Sequence, residues 1–306
     1  VDNKIIAVYG ATASGKSALS IALAKKLNAE IISVDSAQVY RTMDIGTAKP
    51  DAETQAEVPH HLIDLIDPEQ EYSVAKFIQD CKNSIKDIHR KNKVAILCGG
   101  TMLYFNRLFI GLSELPPSNP EIRDKLFQQW QESPQKTHQK LAEIDSETAQ
   151  RLHPNDSQRV IRALELGLYH QPLSTLQKVN AYTPILTPDL SIVLNISERE
   201  KLHQKIEQRL QKMLEQGFVD EVKSLHSNPK LHINLPSIRA VGYRQFWQYH
   251  DNQVTYDTAV EKTFFATRQL AKRQNTWIKS LSTLPNTHLF EHNDKQLFQK
   301  TIALFQ

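Results

Sequence analysis

The sequence predicts an α/β fold, a parallel sheet flanked by helices and opened by a P-loop, with an all-helical insertion. Three observations carry this. The apolar run Ile5 to Tyr9 passes through Gly10-Ala-Thr-Ala-Ser-Gly15-Lys16-Ser17 into a helical pattern, the strand–loop–helix setting in which a glycine-bounded Lys-Ser motif cradles phosphates. Further short apolar runs follow it, suited to buried strands. Between residues 115 and 188 glycine dwindles to Gly167 and amphipathic helical patterns succeed one another. The expected division is a core of 1–114 with 189–306, and an insertion of 115–188 with prolines at both joints.

The 306 residues are 40% apolar, enough to build a real core in one large or two moderate domains. A net charge of +3 is too small to specify a nucleic-acid partner, so only local clustering can argue for one. Cys81 and Cys98 have neither metal-ligand spacing nor a disulfide framework, which points to a reducing, cytoplasmic setting. No apolar run reaches membrane-spanning length, so no membrane partner is expected. The chain enters a strand at once, without a signal segment, and the absent initiator Met suggests numbering from inside the natural N-terminus. Nothing in the sequence demands more than a monomer.

In the first loop, Gly10 and Gly15 allow successive N–H groups to point into one concavity. The helix beginning near Lys16 adds its positive dipole end. Lys16 offers a point charge to terminal phosphates, and the Ser17 hydroxyl can hold Mg2+. A diphosphate and a triphosphate fit the motif equally.

After the first helix, the run Glu30 to Ser36 ends in Asp35. Strand ends in a parallel sheet line one crevice, so Asp35 lies near the phosphates, whose negative charge opposes a carboxylate. Its retention there suggests a general base or a partner of Mg2+; a turn or N-cap aspartate is the plainer alternative. His60 to Leu65 reads as a third strand, and its histidine pair suits a strand edge better than a metal, because neighbours point to opposite faces. Lys93 to Cys98 predicts a fourth strand running into Gly99-Gly100-Thr101, without the carboxylate of an ordinary ATPase strand. Thr101 can offer its hydroxyl and amides to an anion, or cap a helix over Met102–Phe109; the two roles are compatible.

The insertion predicts helices over Pro120–Gln131, Gln135–Ile144, Ser146–Leu152 and Ser157–His170. On the last, Val160, Leu164 and Leu168 should pack inward, leaving Arg159 and Arg162 for a phosphate or simply for solvent. Leu190 to Ile196 is a fifth strand. A long helix follows from Arg199 to Gly217, with Leu202, Ile206, Leu210 and Met213 inward, and with Arg199 and Arg209 free to swing over a diphosphate. Arg239-Ala-Val-Gly242-Tyr243-Arg244 mixes an aromatic with two guanidinium groups, a mix suited to a base and a phosphate. The helix Tyr256–Leu281 carries Leu270, Trp277 and Leu281 on one stripe, and Arg268, Lys272, Arg273 and Lys279 elsewhere. Seven cations against three acids from Arg239 to Lys279 make the basic footprint local.

Several segments also read together: Gly10–Ser17, Asp35–Tyr40, His60–Asp64, Gly99–Tyr104, Gln158–Arg162, Ala240–Gln245 and Arg268–Trp277. In this order and spacing they resemble the tRNA dimethylallyltransferase family, also called isopentenyl-diphosphate:tRNA transferases, over nearly the whole chain. The resemblance implies transfer of a dimethylallyl group from dimethylallyl diphosphate to N6 of the adenosine 3′ of the anticodon, in tRNAs reading codons that begin with U. It implies a P-loop-kinase-like α/β core with a helical insertion that grips the anticodon stem. By matching motif, Asp35 becomes the general base, with Thr101 and Lys16 at the reacting region, while Asp35, Ser36, Ala37 and Gln38 hold the flipped adenosine. The donor diphosphate goes to Gly10, Ala11, Thr12, Ala13, Ser14, Gly15, Lys16 and Ser17, with Arg209, and Mg2+ to Ser17. Facing tRNA are Thr101, Arg123, Gln158, Arg159, Val160, Ile161, Arg162, Arg239, Ala240, Val241, Gly242, Tyr243 and Arg244. Lys272, Arg273, Gln274, Asn275, Thr276, Trp277, Ile278 and Lys279 join them. Lys279 departs from an arginine frequent in the family, which weakens bidentate phosphate contact without removing charge. No zinc-finger tail follows, as in bacterial-type members.

The residues suit this chemistry on their own. Leaving-group charge would fall on the P-loop, and a poorly nucleophilic amine would need a base such as Asp35. A loop adenosine flipped into a channel exposes N6, which a stacked duplex hides. Two other readings share the P-loop. A small-molecule kinase using ATP leaves the basic last helix unexplained. A nucleotide-controlled RNA-binding module leaves Asp35 and Thr101 without roles.

Overall fold

Residues 5–10 are apolar without alternation because both faces of the strand they form are covered. Ile6, Ala7, Val8 and Tyr9 of this strand, β1 (Ile5–Gly10), are wholly buried. In the computed structural model, which describes residues 3–111, 115–179 and 183–305, β1 is an inner strand of a six-stranded parallel sheet. The others are β2 (Ala29–Val34), β3 (His60–His61), β4 (Val94–Gly99), β5 (Leu190–Asn195) and β6 (Thr287–Glu291), in the order β3-β2-β4-β1-β5-β6. Tyr9 pairs with Gly99 and Val34 also pairs with Gly99, so the carboxyl ends of β1, β2 and β4 finish side by side. The α/β class read from the sequence is the class observed.

Helices fill the crossovers. The first four are α1 (Lys16–Leu27), α2 (Ala52–Glu57), α3 (Val74–Arg90) and α4 (Met102–Phe109). Five belong to the insertion: α5 (Pro120–Glu132), α6 (Pro134–Ile144), α7 (Ser146–Arg151), α8 (Ser157–Tyr169) and α9 (Leu173–Val179). The last five are α10 (Arg199–Glu215), α11 (Phe218–His226), α12 (Tyr243–His250), α13 (Tyr256–Leu281) and α14 (Leu297–Phe305). One sheet face packs on α1 and α14 through Leu19, Leu23, Leu297, Phe298 and Ile302. On the other, Tyr9 meets Phe105 of α4 at 4.9 Å between ring centres, and its hydroxyl reaches Leu281 O of α13 at 3.4 Å.

Three expectations need correction. The third strand shrinks to His60–His61, because Leu62 and Asp64 take left-handed torsions (φ 63° and 54°) that end the pairing. In α13 the buried residues are Ala259, Thr263, Ala271, Gln274, Ile278 and the expected Leu281, while Trp277 is 37% exposed. In α8, Val160 and Leu164 are buried as expected but Leu168 is not, since the helix ends at Tyr169 and its last turn leaves the core.

The chain divides into two compact units, 1–109 with 186–306, and 110–185. These joints fall a few residues before 115 and 189. Among its described residues the smaller unit is helical throughout, with a core of Leu126, Leu141, Ala149, Val160, Ile161, Ala163 and Leu164. Its turns are capped by side chains. Asn119 opens α5, Ser133 opens α6, and Asp145 opens α7 while also accepting from Ser174 N at 2.9 Å.

Candidate active site

The P-loop takes the shape its sequence requires. Gly15 stands at φ 90°, a torsion disfavoured for residues with a Cβ, and α1 starts immediately after it. Ser14 N bonds to Ala11 O at 3.3 Å, and Lys16 Nζ folds back to the same oxygen at 3.3 Å. The buried Ser14 hydroxyl has no hydrogen-bond partner among the described residues, a costly state that a phosphate oxygen would relieve. Thr12 is held from two helices. Its amide donates to Gln274 Oε1 of α13 at 2.9 Å, and its hydroxyl accepts from Arg209 Nη1 of α10 at 2.9 Å.

Asp35 follows the last residue of β2 directly. Its Oδ1 accepts from Ala37 N (2.8 Å) and Gln38 N (3.3 Å), so the turn role allowed by the sequence is real, and these bonds leave Oδ2 unengaged. Gln38 is fixed in turn. Its Oε1 accepts from Ser33 Oγ at 2.7 Å, and its Nε2 donates to the carbonyls of Thr47 and Ala48 at 3.3 Å each. Thr101 does not cap α4 with its side chain. Its Oγ1 accepts from Ser36 N at 3.0 Å, tying the Gly-Gly-Thr turn to the Asp35 turn. Gly99 permits that approach, because a Cβ there would sit 2.0 Å from Val34 O.

Most of these groups line one cavity of about 670 Å³; of the P-loop only Thr12, Lys16 and Ser17 do so, while Gly10, Ala11, Ala13, Ser14 and Gly15 shape the loop outside its lining. Thr12, Lys16, Ser17, Asp35–Gln38, Thr101 and Arg209 share its wall with Arg239, Ala240, Val241, Gly242, Tyr243, Arg273, Gln274 and Trp277. Among its charges, Lys16, Arg209 and Asp35 act on one another. Burial lowers the Lys16 pKa, with Arg209 adding to that effect while Cys98 and Asp35 oppose it. Burial likewise lowers that of Arg209, against the attraction of Asp35. Two desolvated cations beside one carboxylate suit a ligand that brings negative charge.

Other residues expected at the site have different surroundings. Tyr243 is buried, with its hydroxyl donating to Glu221 at 2.6 Å, so its ring braces a wall and is not free to stack on a base. Ile278 packs inward, and Arg244, Lys272, Thr276 and Lys279 are exposed outside the cavity lining. In the smaller unit Val160 and Ile161 are core residues. Arg162 is tied to Glu165 at 2.6 Å and to Pro116 O, while Gln158 and Arg159 are exposed. Arg123 bonds to Ser118 Oγ at 3.4 Å.

Sequence reasoning missed Glu221. Its carboxylate accepts from the amides of Asp44 (3.0 Å), Ile45 (2.7 Å) and Gly46 (3.2 Å), and so holds the loop whose carbonyls fix Gln38. No local signal could have found it, because its backbone partners lie at least 175 residues away in the chain.

This geometry can be set beside known proteins. The IPP transferase family matches residues 38–281. The chain belongs to this family. A tRNA dimethylallyltransferase of Hydrogenovibrio crunogenus is 48% identical over 282 residues, covering 91% of this chain and 87% of the relative. One from Francisella tularensis is 48% identical over 299 residues, 96% of each. The fold is similar to that of the tRNA isopentenylpyrophosphate transferase of Bacillus halodurans, with a TM-score of 0.68 and 35% identity over 99% of this chain and 94% of that one. A eukaryotic dimethylallyltransferase acting on tRNA gives a TM-score of 0.80 at 29% identity, covering 98% of this chain and 76% of the other. The IPP transferase match begins at Gln38, within the turn that follows Asp35.

Proposed function

We propose that this transferase moves a dimethylallyl group from dimethylallyl diphosphate to N6 of an adenosine in tRNA, the one 3′ of the anticodon in tRNAs reading codons that begin with U. The observation that carries the reading is the single cavity in which the P-loop, Arg209, Asp35 and Thr101 meet. Asp35 takes the N6 proton on Oδ2 as the new N6–C1 bond forms, while the C1–O bond breaks and its electron pair leaves with the diphosphate. Developing charge on that leaving group meets the free P-loop amides, the Ser14 hydroxyl, Lys16 and Arg209. Ser17, exposed at the start of α1, would hold Mg2+ together with diphosphate oxygens, a donor set this ion accepts because it keeps several waters. Bound there, Mg2+ would neutralise charge on the leaving diphosphate.

The exposed cations Arg239, Arg244, Lys272, Arg273 and Lys279 suit RNA phosphates, and Gln158, Arg159 and Arg123 of the smaller unit suit an anticodon stem. No helix among the described residues is long and apolar enough to cross a membrane. A monomer working in the cytoplasm is the expected setting.

Incubation with dimethylallyl diphosphate, Mg2+ and unmodified tRNA, followed by digestion and mass spectrometry of the nucleosides, tests this. N6-dimethylallyl-adenosine is expected. ATP turnover with a small acceptor and no RNA product would favour a kinase, and RNA binding without any covalent product would favour a binding module.

A further inference from the structure

We infer that Gln274 is a positioning residue for the transfer, one that sets the donor-diphosphate loop against the turn that carries Thr101. It lies on α13 among exposed Lys272, Arg273 and Thr276, yet is only 8% exposed itself. Its Oε1 accepts from Thr12 N at 2.9 Å and its Nε2 donates to Gly100 O at 2.8 Å. One amide thus bridges the loop after β1 and the turn after β4. A primary amide is suited to this because it accepts at one end and donates at the other in fixed geometry; a carboxylate only accepts, and a lysine or arginine only donates.

The bridge has a chemical consequence. Thr12 N is already engaged, so Gln274 shapes the loop and removes one amide from those a diphosphate could use. Arg209 braces the same residue from the other side. Because Thr12 Oγ1 accepts that bond, its hydroxyl proton is left to donate to a diphosphate oxygen. The turn is fitted to the amide as well, since a Cβ on Gly100 would lie 2.7 Å from Gln274 Nε2 and 3.6 Å from Lys16 Nζ. Position 274 therefore acts on the donor side, although Lys272 and Thr276 beside it are exposed outside the cavity lining. The inference rests on the proposed function for the identity of the donor, but not for the geometry of the bridge.

The test compares Gln274→Leu, Gln274→Glu and the exposed Lys272→Gln in the full chain. Steady-state kinetics are run with donor and tRNA varied in turn, and inorganic diphosphate with Mg2+ is titrated calorimetrically. Loss of both bonds in Gln274→Leu is expected to lower kcat/KM for the donor about thirtyfold and to weaken diphosphate binding, with tRNA affinity held within about twofold. Lys272→Gln should do the reverse. In Gln274→Glu only the protonated acid can donate to Gly100 O, so its activity relative to wild type should rise as pH falls from about 8 to about 6. Weakened tRNA binding with unchanged donor parameters in Gln274→Leu would overturn the inference, as would a Glu-to-wild-type ratio flat across that range. Should the Leu variant not fold, the pH ratio decides alone. A wild-type protein that transfers no prenyl group yet binds diphosphate in a Gln274-dependent way would sink the proposed function and leave the bridge standing.

Discussion

Glu30 and Asp35 stand at opposite ends of β2, and the chain treats the two carboxylates in opposite ways. Glu30, buried at the amino end of the sheet, is ringed by Lys91 (3.0 Å), Lys93 (2.9 Å) and His61 (2.7 Å). Burial alone would raise its pKa, yet the bonds from His61, Lys93 and Lys91 hold it at about 2. Asp35, at the carboxyl end, spends one oxygen on two local amides and keeps the other unengaged in a cavity. The buried Ser14 hydroxyl of the P-loop likewise has no partner among the described residues. A polar group answered from within the protein fixes the fold, and one left unanswered beside desolvated cations is kept for a ligand.

That contrast breaks if the two carboxylates can exchange consequences. Asp35→Ala should cut the rate of transfer by a hundredfold or more, on the order expected for a lost general base, with tRNA affinity nearly unchanged and only a small fall in thermal midpoint from the two lost turn bonds. A full rate in this variant would remove Asp35 as base. Glu30→Gln should do the opposite, costing about 2 kcal/mol in urea unfolding, because Lys91 and Lys93 lose their counter-charge while remaining partly solvated. Activity per folded molecule should persist.

Acid sharpens the same comparison. The Glu30 pKa drops from 4.5 to about 2 on folding, so its stabilisation is fully present above 4.5 and disappears as pH falls towards 2. Urea midpoints measured through that window should fall more steeply for wild type than for Glu30→Gln; parallel curves would mean that the ion cluster is idle. The smallest effect lies on the exposed face of α13. Replacing Lys272 and Arg273 together by Ala should weaken tRNA binding several-fold at moderate salt and flatten its salt slope by about 1 to 2. An unchanged slope, read from binding at several salt concentrations, would show that this face does not meet RNA.

How far the sequence reached follows from how local each determinant is. The P-loop, β1, β2, β4 and β5 were legible because glycine torsions and unbroken apolar runs act within a few residues. So were the inward residues of α10. The inward face of α13 was not, because Gln274 points inward to satisfy Thr12 N and Gly100 O, partners that hydrophobic periodicity cannot register. Trp277, which periodicity put on the apolar stripe and the resemblance put facing tRNA, lines the cavity. Strand β6 went unread for a related reason. Thr287–Glu291 is a short edge strand, partly exposed along its length, and it exists through pairing with β5. Tyr243 looked like a stacking aromatic until Glu221 supplied a buried partner for its hydroxyl.

The most direct test of the account is a single-turnover measurement on wild type and Asp35→Asn, each preloaded with Mg2+, dimethylallyl diphosphate labelled in the prenyl group, and unmodified tRNA. The account predicts label on adenine N6 with wild type, and almost none with the variant although both substrates remain bound. Equal transfer by the two proteins, or label on any other atom of the RNA, would contradict it.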